Sequence, residues 1–158
     1  YTNVGGRKNF IMKVMEKLRF DNLSMRLGLS ILINTFGPGL AIVHYGTIVV
    51  AKGATIGANC RIHEGVTIGA TNGSSRAATI GDNVFIGSGA KIIGDVTISS
   101  NVAVAANAVV VNDIICENGC TVGGVPAKII SSNNSSQNIH FLRNENTSDT
   151  PFLGRRGR

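Results

Sequence analysis

The sequence predicts a mainly β protein wound as a solenoid of short strands, and three observations predict it. Stepping by six from Val50, the residues are Val50, Ile56, Ile62, Ile68, Ser74, Ile80, Ile86, Ile92, Ile98, Val104, Val110, Cys116 and Val122, eleven of the thirteen being Ile or Val. Four residues after most of these come further small or β-branched residues: Cys60, Val66, Val84, Ala90, Val96, Val102, Ala108, Ile114 and Cys120. The 158 residues hold 20 glycines, six Phe, two Tyr and no Trp, too few large side chains for an ordinary jigsaw core. A period of six excludes the helical 3.6, and it suits strands only if a turn interrupts every few residues. Each hexapeptide then forms one flat side of a prism, three sides close a coil, and coils stack about 4.8 Å apart. Stacked Ile and Val fill the narrow interior. Gly57, Gly69, Gly81 and Gly87 directly follow an aliphatic position and are read as serving corners whose dihedrals bulky residues resist.

The elements follow in order. Residues 7–20, RKNFIMKVMEKLRF, carry Phe10, Ile11, Val14, Met15 and Leu18 at helical spacing, which predicts a short amphipathic helix packed on the body, within an N-terminal segment 1–28. Residues 29–130 form the solenoid. Ser74 breaks the series inside TNGSSR, a polar stretch that reads as a loop. After Val122 comes GGVPAKII, where Pro126 cannot donate to a ladder and the chain leaves the coils. Residues 131–158 are polar and aperiodic and read as a flexible tail that leaves His140 solvated.

Charge and cysteines bound the function class. The formal charge is +6, but residues 1–28 and 131–158 carry ten Lys and Arg against four acids, while residues 29–130 carry five of each. The solenoid therefore has no basic field, and a nucleic-acid partner is not expected. Cys60, Cys116 and Cys120 are odd in number, lack a CxxC pair and occupy small-residue repeat positions, so they read as buried thiols in a reducing, cytoplasmic compartment. The apolar run Ile31 to Ile33 is too short for a membrane span.

A solenoid names no reaction, so a site is needed. Counting 18 residues from coil to coil, Ala70, Ser88, Ala106 and Gly124 stack as a column of small residues, a shallow groove for an extended ligand. The strings GPGLAIVHYGTIVV, IGANCRIHEGVTIG, TIGDNVFIGSGAKIIGDVTI and GGVPAKI closely resemble the hexapeptide acyltransferase superfamily. Within it they are most similar to the serine acetyltransferase type and the O-acetyltransferases of capsular polysaccharide gene clusters, over about residues 28–130. The resemblance implies a left-handed parallel β-helix, a homotrimer or a pair of trimers, and acetyl-CoA held between subunits. It makes Gly69, Ala70, Ser88 and Ala106 the pantetheine track and puts Lys128 near the phosphates, with no metal expected.

The resemblance also makes His44 the general base. A serine or sugar hydroxyl is too weak an acid to attack a thioester unaided, and an imidazole can take its proton as the new bond forms. Arg76 matches the family's arginine and could pair with an acceptor carboxylate or steady the oxyanion. His63, one coil beyond His44, either assists the site or lines a subunit seam. The chain departs from the serine enzymes at Val43, where they have aspartate, at Ala77, where they have a second histidine, and around Leu29–Ser30, where no orienting acid is found. L-Serine is therefore one expected acceptor and a sugar hydroxyl of a capsule precursor the other. A non-catalytic trimeric scaffold is the competing class. A γ-type carbonic anhydrase is disfavoured because His44 and His63 do not match its three-histidine spacing.

Overall fold

A computed structural model of the chain describes residues 6–71 and 73–139, with side chains from Met12 onward. His140 and the rest of the expected tail lie outside the described residues. The helix runs over Gly6–Leu27, past its expected end at Phe20. Nothing in DNLSMRL breaks a helix, and the stop is Gly28, whose φ of 69° is the left-handed conformation of a C-terminal cap and whose N–H donates to Met25 O at 3.3 Å. The helix meets the body at Leu29–Ser30, with Phe20 and Ser24 beside Ile31 and Leu40, but of the expected apolar face Met15 and Leu18 stay exposed, as do Met12 and Leu23; the side chains of Phe10 and Ile11 lie outside the described residues.

From Leu29 the chain winds as a parallel β-helix with three faces. The first face stacks Leu29–Ser30, Ile48–Val50, Thr67–Gly69, Lys91–Ile93 and Val109–Val110. The second stacks Thr55–Ile56, Thr79–Ile80 and Thr97–Ile98. The third stacks Ala41–Ile42, Arg61–Ile62, Phe85–Ile86, Ala103–Val104 and Thr121–Gly123. Ile62, Ile68, Ile86, Ile92, Val104 and Val122 are each 0% exposed, so the six-residue series is the core of the rod. Ladder bonds close the coils, as in His63 N to Ile86 O at 3.0 Å and Ala105 N to Val122 O at 2.8 Å.

Two devices hold the corners. Asn59, Asn83, Asn101 and Asn107 take positive φ, and three of them are joined side chain to side chain, Asn59 Nδ2 donating to Asn83 Oδ1 at 3.0 Å and Asn83 Nδ2 to Asn101 Oδ1 at 3.1 Å. Asparagine tolerates the left-handed region because its short amide bonds locally. The glycines assigned to corners from sequence have another reason to be glycine: a Cβ on Gly57 would lie 2.7 Å from Gly81 C, and one on Gly87 2.7 Å from Ala106 N. Close approach of successive coils, rather than a left-handed backbone, excludes a side chain at these two positions.

The loop changes the register. Ile56, Ile62 and Ile68 pair with Ile80, Ile86 and Ile92, whereas beyond the loop Ile80, Ile86 and Ile92 stack with Ile98, Val104 and Val110. TNGSSR keeps the count of six but forms no face, so an 18-residue step taken across it lands on the wrong side of the prism. At the far end Ile114, not Cys116, bridges to Ile98. Cys116 is thereby displaced from the core and joined to Cys120 by a disulfide, which corrects the expectation of two buried thiols; Cys60 is free and buried. After Gly124 the chain turns back as Lys128–Ser131, antiparallel to Thr121–Gly123. Residues 131–139 are not a loose tail. Ser135 is fully buried, its N–H donates to Asn101 O at 3.0 Å and its hydroxyl to Asn83 O, and Ile139 is fully buried.

Candidate active site

Each third-face strand is followed by a turn, and from the second coil on the residue two places after the inward aliphatic projects at the same corner. Pairing of Ile62, Ile86, Val104 and Val122 fixes that column as Glu64, Ser88, Ala106 and Gly124; in the first coil two extra residues lie between Ile42 and Val50, Gly46 packs against Glu64, and His44 stands on this longer turn beside the column. Backbone bonds across the corner keep it aligned: Gly89 N donates to Glu64 O at 2.8 Å and Asn107 N to Ser88 O at 2.9 Å. The expected column of Ala70, Ser88, Ala106 and Gly124 is therefore corrected at its first member. Gly69 pairs with Ile93 on the first face, and Ala70 follows it there, a full side of the prism away from Ser88. In place of a fourth small residue the column carries a carboxylate, with an imidazole beside it.

His44 is exposed next to the head of the column, beside a cavity of about 420 Å³ lined by Leu27, Leu29, Ile42, Val43, Tyr45 and Gly46. Its ring meets that of His63 edge to face, with centroids 5.2 Å apart, and His63 meets Phe85 in the same way at 5.1 Å. Donor atoms of His44, His63 and Glu64 all lie within 4.8 Å of one another. His63 is half-buried. Its Nδ1 lies 3.4 Å from Ser88 Oγ, and its Nε2 is buried without a partner, as is Glu64 Oε2.

The electrostatics follow from this crowding. Burial, then the nearby charge of His44, holds the His63 imidazole below its ordinary value; Glu64 opposes that shift and Arg61 adds to it. Glu64 is held below the usual carboxylate range first by its own backbone N–H, then by the Ser88 hydroxyl, with smaller help from the two imidazoles. Glu64 thus stays ionised next to a histidine that would become cationic on taking a proton. Sequence reasoning missed it. Removing the loop from the count places Glu64 over Ser88, since that aligns Ile62 with Ile86; its approach to His44 also needs the two extra residues between Ile42 and Val50, which the count of six does not show.

The other expected residues are dispersed within the chain. Arg76 sits on the exposed loop before the second-face strand Thr79–Ile80, with its Nε 3.1 Å from Asp95 Oδ2. Lys128 is exposed on the returning strand opposite Gly123, at the Gly124 end of the column. Ala77, standing where a second histidine was looked for, is only 2% exposed and belongs to the core. Among the described residues no helix is long and apolar enough to cross a membrane.

Comparison with known proteins agrees with this fold. The profile of the family described as Bacterial transferase hexapeptide (six repeats) matches residues 77–112. The chain is 38% identical over 96 residues to a serine acetyltransferase of Synechococcus elongatus, covering 60% of this chain and 38% of that protein. Among solved structures, serine acetyltransferase of Neisseria gonorrhoeae in complex with serine matches with a TM-score of 0.63 and 36% identity, over 75% of this chain and 50% of that one. Serine acetyltransferase of Brucella abortus in complex with coenzyme A matches with a TM-score of 0.58 and 34% identity, over 68% of this chain and 41% of that one. The fold is a left-handed parallel β-helix, as in these serine acetyltransferase structures. All three of these proteins are serine acetyltransferases, and the chain spans half or less of the length of each.

Proposed function

We propose that the protein is an acetyl-CoA-dependent O-acetyltransferase with His44 as general base and L-serine as acceptor. The observation that carries this reading is the corner column, where an exposed imidazole stands beside a track that narrows to Ala106 and Gly124. The thioester arm lies along Ser88, Ala106 and Gly124, and the Lys128 ammonium serves the phosphate end. Gly69 and Ala70 border the ligand only from a neighbouring subunit of a homotrimer. His44 takes the proton as the acceptor oxygen bonds to the acetyl carbon; the C–S bond then breaks and His44 returns the proton to the leaving thiolate. Glu64 steadies the imidazolium in between, the part for which the sequence offered no upstream acid. Since the acyl donor is a cytoplasmic metabolite, we place the reaction there, in which case the Cys116–Cys120 bridge opens in the cell.

A second acceptor is favoured by one observation. Leu27, Leu29, Ile42 and Val43 give the cavity beside His44 an apolar wall, and Arg76 is engaged by Asp95, so neither the ammonium nor the carboxylate of an amino acid has an assigned partner in this chain. That wall suits the apolar face of a sugar whose hydroxyl points at His44. Incubation with labelled acetyl-CoA and a panel of L-serine, free sugars and sugar nucleotides decides between them. Labelled O-acetylserine supports the first reading, a labelled sugar ester the second, and no labelled ester with any hydroxyl removes both.

A further inference from the structure

Outside acyl transfer, the His44 cluster has the composition of a metal site. Imidazole and carboxylate are the ligands zinc takes in sites that keep an open position. His44, His63 and Glu64 supply two nitrogens and an oxygen whose donor atoms lie within 4.8 Å of one another. Around a tetrahedral ion with bonds of about 2.1 Å such atoms sit roughly 3.4 Å apart, so the cluster must tighten by up to about 1.4 Å. His44 is exposed, so the closing movement falls to its side chain, while His63 is already held and Glu64 is partly buried.

The setting of those two is an independent observation. The backbone N–H of His63 is bonded to Ile86 O at 3.0 Å and its ring rests on Phe85. With Nδ1–H turned to Ser88 Oγ at 3.4 Å, the Nε2 lone pair is left unused in a buried position, which is how an outer partner orients a metal-binding histidine. Glu64 Oε2 is likewise buried with no hydrogen-bond donor. Two orphaned acceptors in a cluster with one exposed imidazole ask for a cation more than for another acceptor.

We propose that His44, His63 and Glu64 bind zinc, and that the bound ion, by occupying the lone pair with which His44 takes the acceptor's proton, switches the transferase off. The inhibitory half rests on His44 being the base; the binding half does not. Zinc replaces a proton here, with no change of oxidation state. Its affinity therefore rises with pH as the imidazoles lose theirs.

The test uses the full chain freed of metal and titrated with zinc ions against a chromophoric chelator. One zinc per chain is expected. His63→Ala and the isosteric Glu64→Gln should each weaken binding at least tenfold while keeping the wild-type far-UV circular dichroism. A Cys116→Ser/Cys120→Ser variant, which removes the two cysteines outside the buried Cys60, should bind as the wild type does. No binding at micromolar zinc, affinity unchanged in both His63→Ala and Glu64→Gln, or binding lost with the two cysteines would overturn the site. In parallel, the acetyl-transfer rate should fall in step with zinc occupancy and return with EDTA. A rate unaffected by bound zinc would overturn the switch, whereas zinc bound as expected by a protein inactive even without metal would support the site and remove the acetyltransferase reading.

Discussion

Replacing Asn83 by alanine tests whether the corner asparagines hold the coils in register. Asn83 sits at φ 55° in the middle of the amide ladder, accepting from Asn59 and donating to Asn101. Alanine removes both side-chain bonds, at about 1 kcal/mol each for a half-buried pair. It also forces an unsupported residue into the left-handed region, which costs roughly 1–2 kcal/mol. The sum is about 3–4 kcal/mol, or a fall in Tm of about 6–16 °C for a domain of this size. Asn83→Gly loses the bonds but accepts the dihedral, so it should fall short of the alanine loss by about 1 kcal/mol after its own entropy cost. The assay is thermal unfolding followed by circular dichroism at one fixed protein concentration, since any oligomer makes Tm depend on concentration. Equal losses for alanine and glycine, or losses under about 0.5 kcal/mol for both, would refute the reasoning, because a surface asparagine without structural duty costs no more than that.

Other outcomes are expected at the site and in the core. Ala106→Trp fills the exposed step of the column, so coenzyme A binding measured by calorimetry should drop at least tenfold with no change in the circular dichroism spectrum. His63 has its folded-state value below the ordinary imidazole, so between the two values the unfolded chain holds more protons and stability falls as pH drops below about 6.5. Urea unfolding from pH 8 to 5 should show that slope in the wild type and a smaller one in His63→Gln. Cys60 is pushed up to about 12 by burial, so iodoacetamide at pH 8 should leave it unmodified in the folded protein and label it in urea.

How far the sequence could be read depended on what each residue's neighbours were. Ile62, Ile86 and Val104 declared the coil because only a six-residue turn brings every one of them inward. The same regularity misled where the chain departs from it without changing the count. TNGSSR has the length of one face and the chemistry of a loop, so an unbroken count stacks Ala70 with Ser88 and hides Glu64, the residue that shares the Ser88 corner. Cys116 kept the step of six, yet Ile114 makes the ladder bridge, and this frees Cys116 to reach Cys120. His44 was singled out by family resemblance, not by spacing, since one exposed histidine has no periodic signature. The buried, unpartnered Nε2 of His63 was beyond reach of the sequence, because it arises from contacts with Phe85 and Ser88 on the next coil.

The account stands most directly on one rate. In a single-turnover assay with labelled acetyl-CoA and the acceptor that the panel identifies, His44→Ala should transfer acetyl at least a hundredfold more slowly than the wild type while binding coenzyme A with unchanged affinity. Transfer by His44→Ala at the wild-type rate would contradict it.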